Sequence, residues 1–134
     1  MSAISEGAMG QFQILGLDHV QLAMPAGQEH VARAFYSDVL GLAEEQKPAN
    51  LALRGGVWFR NGAVRLHLGV EAEFRAARKA HPALLVRGLA ELCARCRAAG
   101  FEPVTDEPLP GFDRFYIFDP FGNRLELLEP LEQR

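Results

Sequence analysis

Four residues of this chain, His19, His67, His81 and Glu126, have the types and the spacing of a metal site divided between two similar halves. Counted from the glycine after each of two helix-like segments, Gly41 to His67 is 26 positions and Gly100 to Glu126 is also 26. The earlier pair, His19 and His81, is 62 positions apart, and each falls in an apolar, strand-like segment that runs into a helix-like one. Two copies of one folding unit would each place a donor near a first strand and a donor on a last strand. Three imidazoles and a carboxylate suit a borderline divalent cation, which takes nitrogen and oxygen ligands held on rigid elements. Each residue also has an ordinary reading. A strand histidine is often simply satisfied by a neighbour, and Asp18 adjoins His19. Glu126 lies among leucines, where a buried carboxylate needs a cation, either a metal or an arginine. His30, among polar neighbours near a helix start, reads as a solvated surface residue.

The elements that must carry these donors follow from hydrophobic periodicity. The segment ILGLDHVQLAM (14–24) predicts a strand with Val20, Leu22 and Met24 on one face and His19, Gln21 and Ala23 on the other. GQEHVARAFYSDVLG predicts a helix burying Val31, Ala34, Phe35 and Val39, stopped by Gly41. A strand over 42–46, a loop after Pro48 and the strand GGVWFR follow. Asn61-Gly62 reads as a two-residue hairpin turn with both positions left-handed, which pairs Phe59 with Val64, Trp58 with Arg65 and Gly56 with His67. Val57, Phe59, Val64, Leu66 and Leu68 then face the helix, while Trp58, Arg65 and His67 share the polar face.

The stretch EAEFRAARKA (71–80) links the halves, and the pattern repeats. A strand opens at His81, a helix ends at Gly100, FEPVT predicts a further strand, and DRFYIF and RLELLE flank DPFGN. A three-residue loop of Pro120, Phe121 and Gly122 pairs Ile117 with Leu125 and Phe115 with Leu127. Tyr116 then lies opposite Glu126, on a face shared with Arg114, Phe118, Arg124 and Leu128. The expected fold is α+β: two βαβββ modules, roughly 14–70 and 81–130, forming a curled mixed sheet around a central cleft, after a loosely held arm over 1–13.

At 134 residues the chain makes one domain, with 49% apolar and 23% charged residues. A net charge of -3 argues against a nucleic-acid binder. No apolar run reaches the roughly 20 residues a bilayer requires, and the first residues lack the basic and apolar segments of a signal peptide, so a cytoplasmic location is expected. Cys93 and Cys96 lie within the helical run LAELCARCRAAG, on the stripe of Leu89 and Leu92, and are expected to be packed and reduced.

The segments LDHVQLAMP, FYSDVLGL, LHLGVE, the strand opening His81-Pro82, and DPFGNRLELLEP resemble the vicinal oxygen chelate superfamily. It includes glyoxalase I, methylmalonyl-CoA epimerase, extradiol dioxygenases, and fosfomycin and bleomycin resistance proteins. The resemblance runs from residue 14 to 130 and implies His19, His67, His81 and Glu126 as ligands of a divalent transition metal: Ni, Co, Zn, Mn or Fe. Glyoxalase I has a glutamate and the epimerases a glutamine where this chain has His67, and in dioxygenases and fosfomycin enzymes that position is not a ligand. His67 is therefore either a ligand or an acid/base beside the metal. VTDEPLPG lacks the serines of the fosfomycin enzymes' potassium loop. The resemblance implies a lyase or isomerase acting on a small substrate with vicinal oxygens through a metal-stabilised oxyanion. Glu126 would carry the proton, with His67 or Tyr116 as alternatives, and Trp58, Arg65, Arg124 and Phe118 would contact substrate. An extradiol-type dioxygenase and a metal-free drug- or metabolite-binding resistance protein are the alternatives. A homodimer is implied, with the cleft inside one chain or between two.

Overall fold

Runs of β-branched and large apolar residues at period two, broken by left-handed glycines, build two small sheets, and one amphipathic helix accompanies each. The computed structural model describes residues 10–132. Strand β1 (Val20–Met24) leads into helix α1 (Glu29–Arg33), which continues as a wider helical segment over Ala34–Val39. Strand β2 (Ala43–Glu45), the short helix α2 (Ala49–Ala52), β3 (Val57–Asn61) and β4 (Val64–Val70) complete the first module. The second comprises β5 (Ala83–Leu85), α3 (Leu89–Ala98), β6 (Phe112–Phe118) and β7 (Arg124–Pro130). The sheets run in the orders β1-β4-β3-β2 and β5-β7-β6, with β1 parallel to β4 and β5 parallel to β7. Each first strand thus lies beside its module's last strand, which is what brings the early and late donors of each module together. Of the arm expected over 1–13, residues 1–9 lie outside the described residues, and 11–13 carry no regular structure.

Several expectations need correction. After Arg33 the helix bonds five residues back, as from Leu40 N to Phe35 O at 3.0 Å. This wider winding turns Tyr36 inward, so Ala32, Phe35, Tyr36 and Val39 are buried while Ala34 is exposed. In the first hairpin Asn61 pairs with Val64, so the turn is Gly62-Ala63 and only Gly62 is left-handed (φ 60°). The register slides by two, which leaves every side chain on its expected face but puts Trp58, not Gly56, opposite His67. Gly56 still has a strict role: a Cβ there would lie 2.2 Å from the Leu68 carbonyl oxygen. FEPVT forms only a single bridge from Val104 to Tyr116, since Pro103 beside it has no N–H to extend a ladder. His19 immediately precedes β1 and His81 lies two residues before β5, rather than inside the strands. The second hairpin has the expected register, with Tyr116 opposite Glu126 and Gly122 left-handed (φ 93°). Cys93 and Cys96 are free thiols on α3, Cys96 fully buried.

A buried polar node joins the modules. The Asp119 carboxylate, 4% exposed, accepts from Tyr36 OH (2.7 Å), Phe121 N (2.9 Å), Asn123 N (2.8 Å) and Asn123 Nδ2 (2.9 Å). Asn123 Nδ2 also donates to Ala23 O of β1 at 2.8 Å. Burial pushes the Asp119 carboxyl above its ordinary range although all four bonds favour its ionised form. Replacing Tyr36 with Phe keeps the ring and removes one donor from this buried oxygen. A loss of about 1.5–3 kcal/mol is expected in urea unfolding at pH 7, and an unchanged midpoint would show that the node contributes no stability.

Candidate metal centre

The first module builds a column of three rings across its sheet. Strand β4 lies between β1 and β3, so His67 meets a neighbour on each ring face. Trp58 of β3 lies flat on one face at 4.0 Å and 4°, and His19, just ahead of β1, covers the other at 4.1 Å and 16°. His19 Nδ1 lies 3.0 Å from Asp18 Oδ2, and Asp18 Oδ1 accepts weakly from Arg65 Nη1 at 3.4 Å. A carboxylate on one ring nitrogen fixes the ring and leaves the other available, the usual arrangement of a metal-binding histidine. His67 is 5% exposed and makes no hydrogen bond among the described residues. Burial, reinforced by the neighbouring charge of His19, lowers its pKa below the ordinary imidazole value.

The second module holds the other two donors in direct contact. His81 Nδ1 lies 2.8 Å from the Lys79 carbonyl, and its Nε2 lies 3.0 Å from Glu126 Oε1. A carbonyl oxygen only accepts, so Nδ1 carries a proton. In the neutral ring Nε2 is then a lone pair facing a carboxylate oxygen. Two acceptors cannot hold that distance unaided, so a second proton or a metal ion must lie between them. Glu126 Oε2 accepts from Arg114 Nη1 at 3.1 Å, and the same nitrogen donates to Tyr116 OH at 2.8 Å. Arg114 Nη2 reaches the Glu107 carbonyl, while its buried Nε has no acceptor among the described residues. Burial works to raise the Glu126 carboxyl, but the bonds from His81 and Arg114 outweigh it and hold the pKa below the ordinary value. The ring of Tyr116 meets His81 edge-on at 5.2 Å and carries the Arg124 guanidinium on its face at 4.0 Å.

The four proposed ligands therefore fall into two pairs, His19 with His67 and His81 with Glu126. Among the described residues no three His, Cys, Asp or Glu side chains form one cluster. Of the proposed substrate contacts, Arg65 turns to Asp18, Trp58 has one ring face covered by His67, Phe118 is 44% exposed, and Arg124 lies on Tyr116. Arg114 was legible only as a neighbour. Its place opposite Leu128 makes it diagonal to Glu126 on the same face, within reach of a long side chain. The Lys79 carbonyl that orients His81 has no side-chain signal in the sequence.

The sequence profile of the Glyoxalase/Bleomycin resistance protein/Dioxygenase superfamily matches residues 16–127. Among solved structures, a protein described as of the glyoxalase family from Bacillus anthracis is 44% identical, with a TM-score of 0.87 over 90% of this chain and 99% of that one. The fosfomycin resistance protein FosX from Listeria monocytogenes shares the fold at 20% identity and a TM-score of 0.67, over 91% and 97% of the two chains. A glyoxalase family protein from Enterococcus faecalis does so at 23% identity and a TM-score of 0.66, over 86% and 98%. No curated protein matches.

The lowered pKa of His67 has a consequence for metal-free protein. As pH falls below about 6.5 the unfolded chain binds a proton that the folded ring resists, so stability declines through that window. Denaturation midpoints between pH 7 and 5 should fall in the parent and fall less in His67→Gln. An equal decline in both would show that another group governs it.

Proposed function

The chain belongs to the Glyoxalase/Bleomycin resistance protein/Dioxygenase superfamily, and from that premise we propose that it is a divalent-metal-dependent lyase or isomerase acting on a small substrate with vicinal oxygens. The observation that carries this reading is His81, whose two ring nitrogens both face acceptors, Lys79 O and Glu126 Oε1. A neutral ring held by a carbonyl at Nδ1 has only a lone pair at Nε2, and a metal ion, like a second proton, makes that contact with a carboxylate favourable. A ligand histidine is held by a carbonyl at Nδ1 and shares its Nε2 cation with the carboxylate. His19, held by Asp18, has the matching form.

His19 and His67 would come from one copy of the chain and His81 and Glu126 from a second, in a homodimer with two equivalent sites. Each pair joins a histidine ahead of an edge strand, β1 or β5, to a donor on the inner strand beside it, β4 or β7. Apolar residues near those edges face solvent in the single chain: Leu17 is 84% exposed and Leu85 70%. Such residues call for cover by a partner. The ion would be Ni, Co, Zn, Mn or Fe. When bound, it supplies Lewis acidity to the oxygens it binds.

The chain's own residues supply the rest. Glu126 Oε1 would take the substrate proton and return it once its own contact beside His81 loosens, while Arg114 keeps Oε2 paired and the carboxylate in place. Tyr116 OH accepts from Arg114, which leaves its own proton free for a substrate oxygen. Trp58, Arg65, Phe118 and Arg124 surround the substrate. A dioxygenase with only His19, His81 and Glu126 as ligands is favoured by one observation: ring stacking on both faces already fixes His67 without a metal.

Metal analysis of purified protein should find close to one divalent ion per chain. His81→Ala and Glu126→Ala should each weaken binding by at least the 10–100-fold that loss of an orienting partner costs. Metal-free parent protein would favour the binding-protein alternative, and oxygen uptake with catechols would favour the dioxygenase. The divided site has its own test. A His19→Ala/His67→Ala chain and a His81→Ala/Glu126→Ala chain, each deficient alone, should on mixing and exchange regain one intact site in each heterodimer. No recovery from verified heterodimers would place all four ligands in one chain.

A further inference from the structure

Arg124 is set apart from the other arginines near the site. Arg114 is bound to Glu126, Tyr116 and Glu107, and Arg65 to Asp18. Arg124 is half-buried and makes no hydrogen bond or ion pair among the described residues; its guanidinium lies 4.0 Å over the ring of Tyr116 instead. That contact holds the guanidinium carbon over the ring without using up an N–H donor in a hydrogen bond. Glu126, the carboxylate two residues along the same strand, is already taken by Arg114 and His81. One positive charge is left over on this face, without an acceptor among the described residues.

Its position is fixed by register. Arg124 and Glu126 are two residues apart on β7, hence on one face, with Cα atoms about 7 Å apart by ordinary strand rise. Phe118 stands directly opposite Arg124 and is 44% exposed. An apolar wall and a guanidinium without an acceptor among the described residues thus stand side by side, with the Glu126 carboxylate two residues along β7. Guanidinium forks match carboxylates bidentately.

We infer that Arg124 is the anchor for an anionic group of the substrate, which therefore carries a carboxylate or similar oxyanion separate from its pair of chelating oxygens. This rests on the proposed function for the location of the chelating end, but not for the anion contact itself. A small acid of the right build has its carboxylate one ring-width from two adjacent oxygens, and 3,4-dihydroxybenzoate supplies that spacing as a probe. Its neutral isostere, 3,4-dihydroxybenzamide, differs only in the charge of the remote group.

The test uses zinc-loaded protein, because zinc does not oxidise catechols, and reads binding through the fluorescence of Trp58, the one tryptophan in the chain. The parent should prefer the benzoate to the benzamide by 10-fold or more. In Arg124→Gln the ratio should collapse to near one, and Arg124→Lys should restore part of it. Equal affinity of the parent for both probes overturns the inference. So does an Arg124→Gln chain that keeps the preference, or one that loses both probes alike, which would mark a structural role. Zinc content of the same samples reads the proposed function separately. Should the protein hold no zinc, that reading fails, and benzoate against benzamide on the metal-free chain decides the Arg124 inference by the same ratio.

Discussion

Asp119 holds the two modules in one body by an arrangement that neither module could supply alone. Its carboxylate takes two backbone amides from its own hairpin loop, a side-chain amide from Asn123 and a hydroxyl from Tyr36, which belongs to the other module's helix. Asn123 completes the tie by donating to Ala23 on β1. Loss of one donor there leaves a charged, buried oxygen short of a partner, which costs more than an ordinary hydrogen bond. The same node fixes the hairpin that sets Glu126 opposite Tyr116 and locates β1, beside which His19 stands. The chemistry of both donor pairs is therefore built on a site that has no chemistry of its own.

Strand parity explains how much of this was legible in the sequence. A period of two assigns every residue to a face, and a register error of two residues leaves those assignments intact. The polar face of β3 and β4 was accordingly right although the turn was not: Asn-Gly suggested two left-handed residues, and the chain uses Gly62 alone. What that error hid was the contact between Trp58 and His67, because direct opposition depends on register and not on parity. The wide turn of helix after Arg33 was hidden for a different reason. Five-residue bonding leaves no compositional mark, and Tyr36 reads as a surface residue on an ordinary helix. The reduction of the second module's second expected strand to one bridge was recoverable, since Pro103 in FEPVT already argued against a ladder.

Family kinship and the local geometry do separate work. The profile match and the 44% identical neighbour establish the superfamily and the fold, but a fold hosts many reactions and none is assigned by likeness alone. The arrangement about His81 is independent of that likeness. It follows from which atoms can donate and which can only accept. Arg114 sharpens the point, because it gives Glu126 the cationic partner that a purely structural carboxylate would need. A guanidinium on Oε2 would have been enough to satisfy a buried glutamate, yet a second ring nitrogen still faces Oε1 at 3.0 Å.

The replacement of a carboxylate by His67 carries the charge argument to its end. On the proposed reading the donor set is three neutral imidazoles and one carboxylate, which cancel only half the charge of a divalent ion. A site with a second carboxylate in that position would be neutral and would favour uncharged chelators. Here the low imidazole pKa imposed by burial keeps His67 uncharged at neutral pH, so the surplus positive charge stays with the ion. Arg124 adds another positive charge on the neighbouring strand face with nothing among the described residues to balance it. On this reading the two uncompensated positive charges would draw in an anion in preference to a neutral ligand. On the proposed reading the histidine at position 67 and the guanidinium of Arg124 would act in the same direction, both selecting the charge of the molecule that enters.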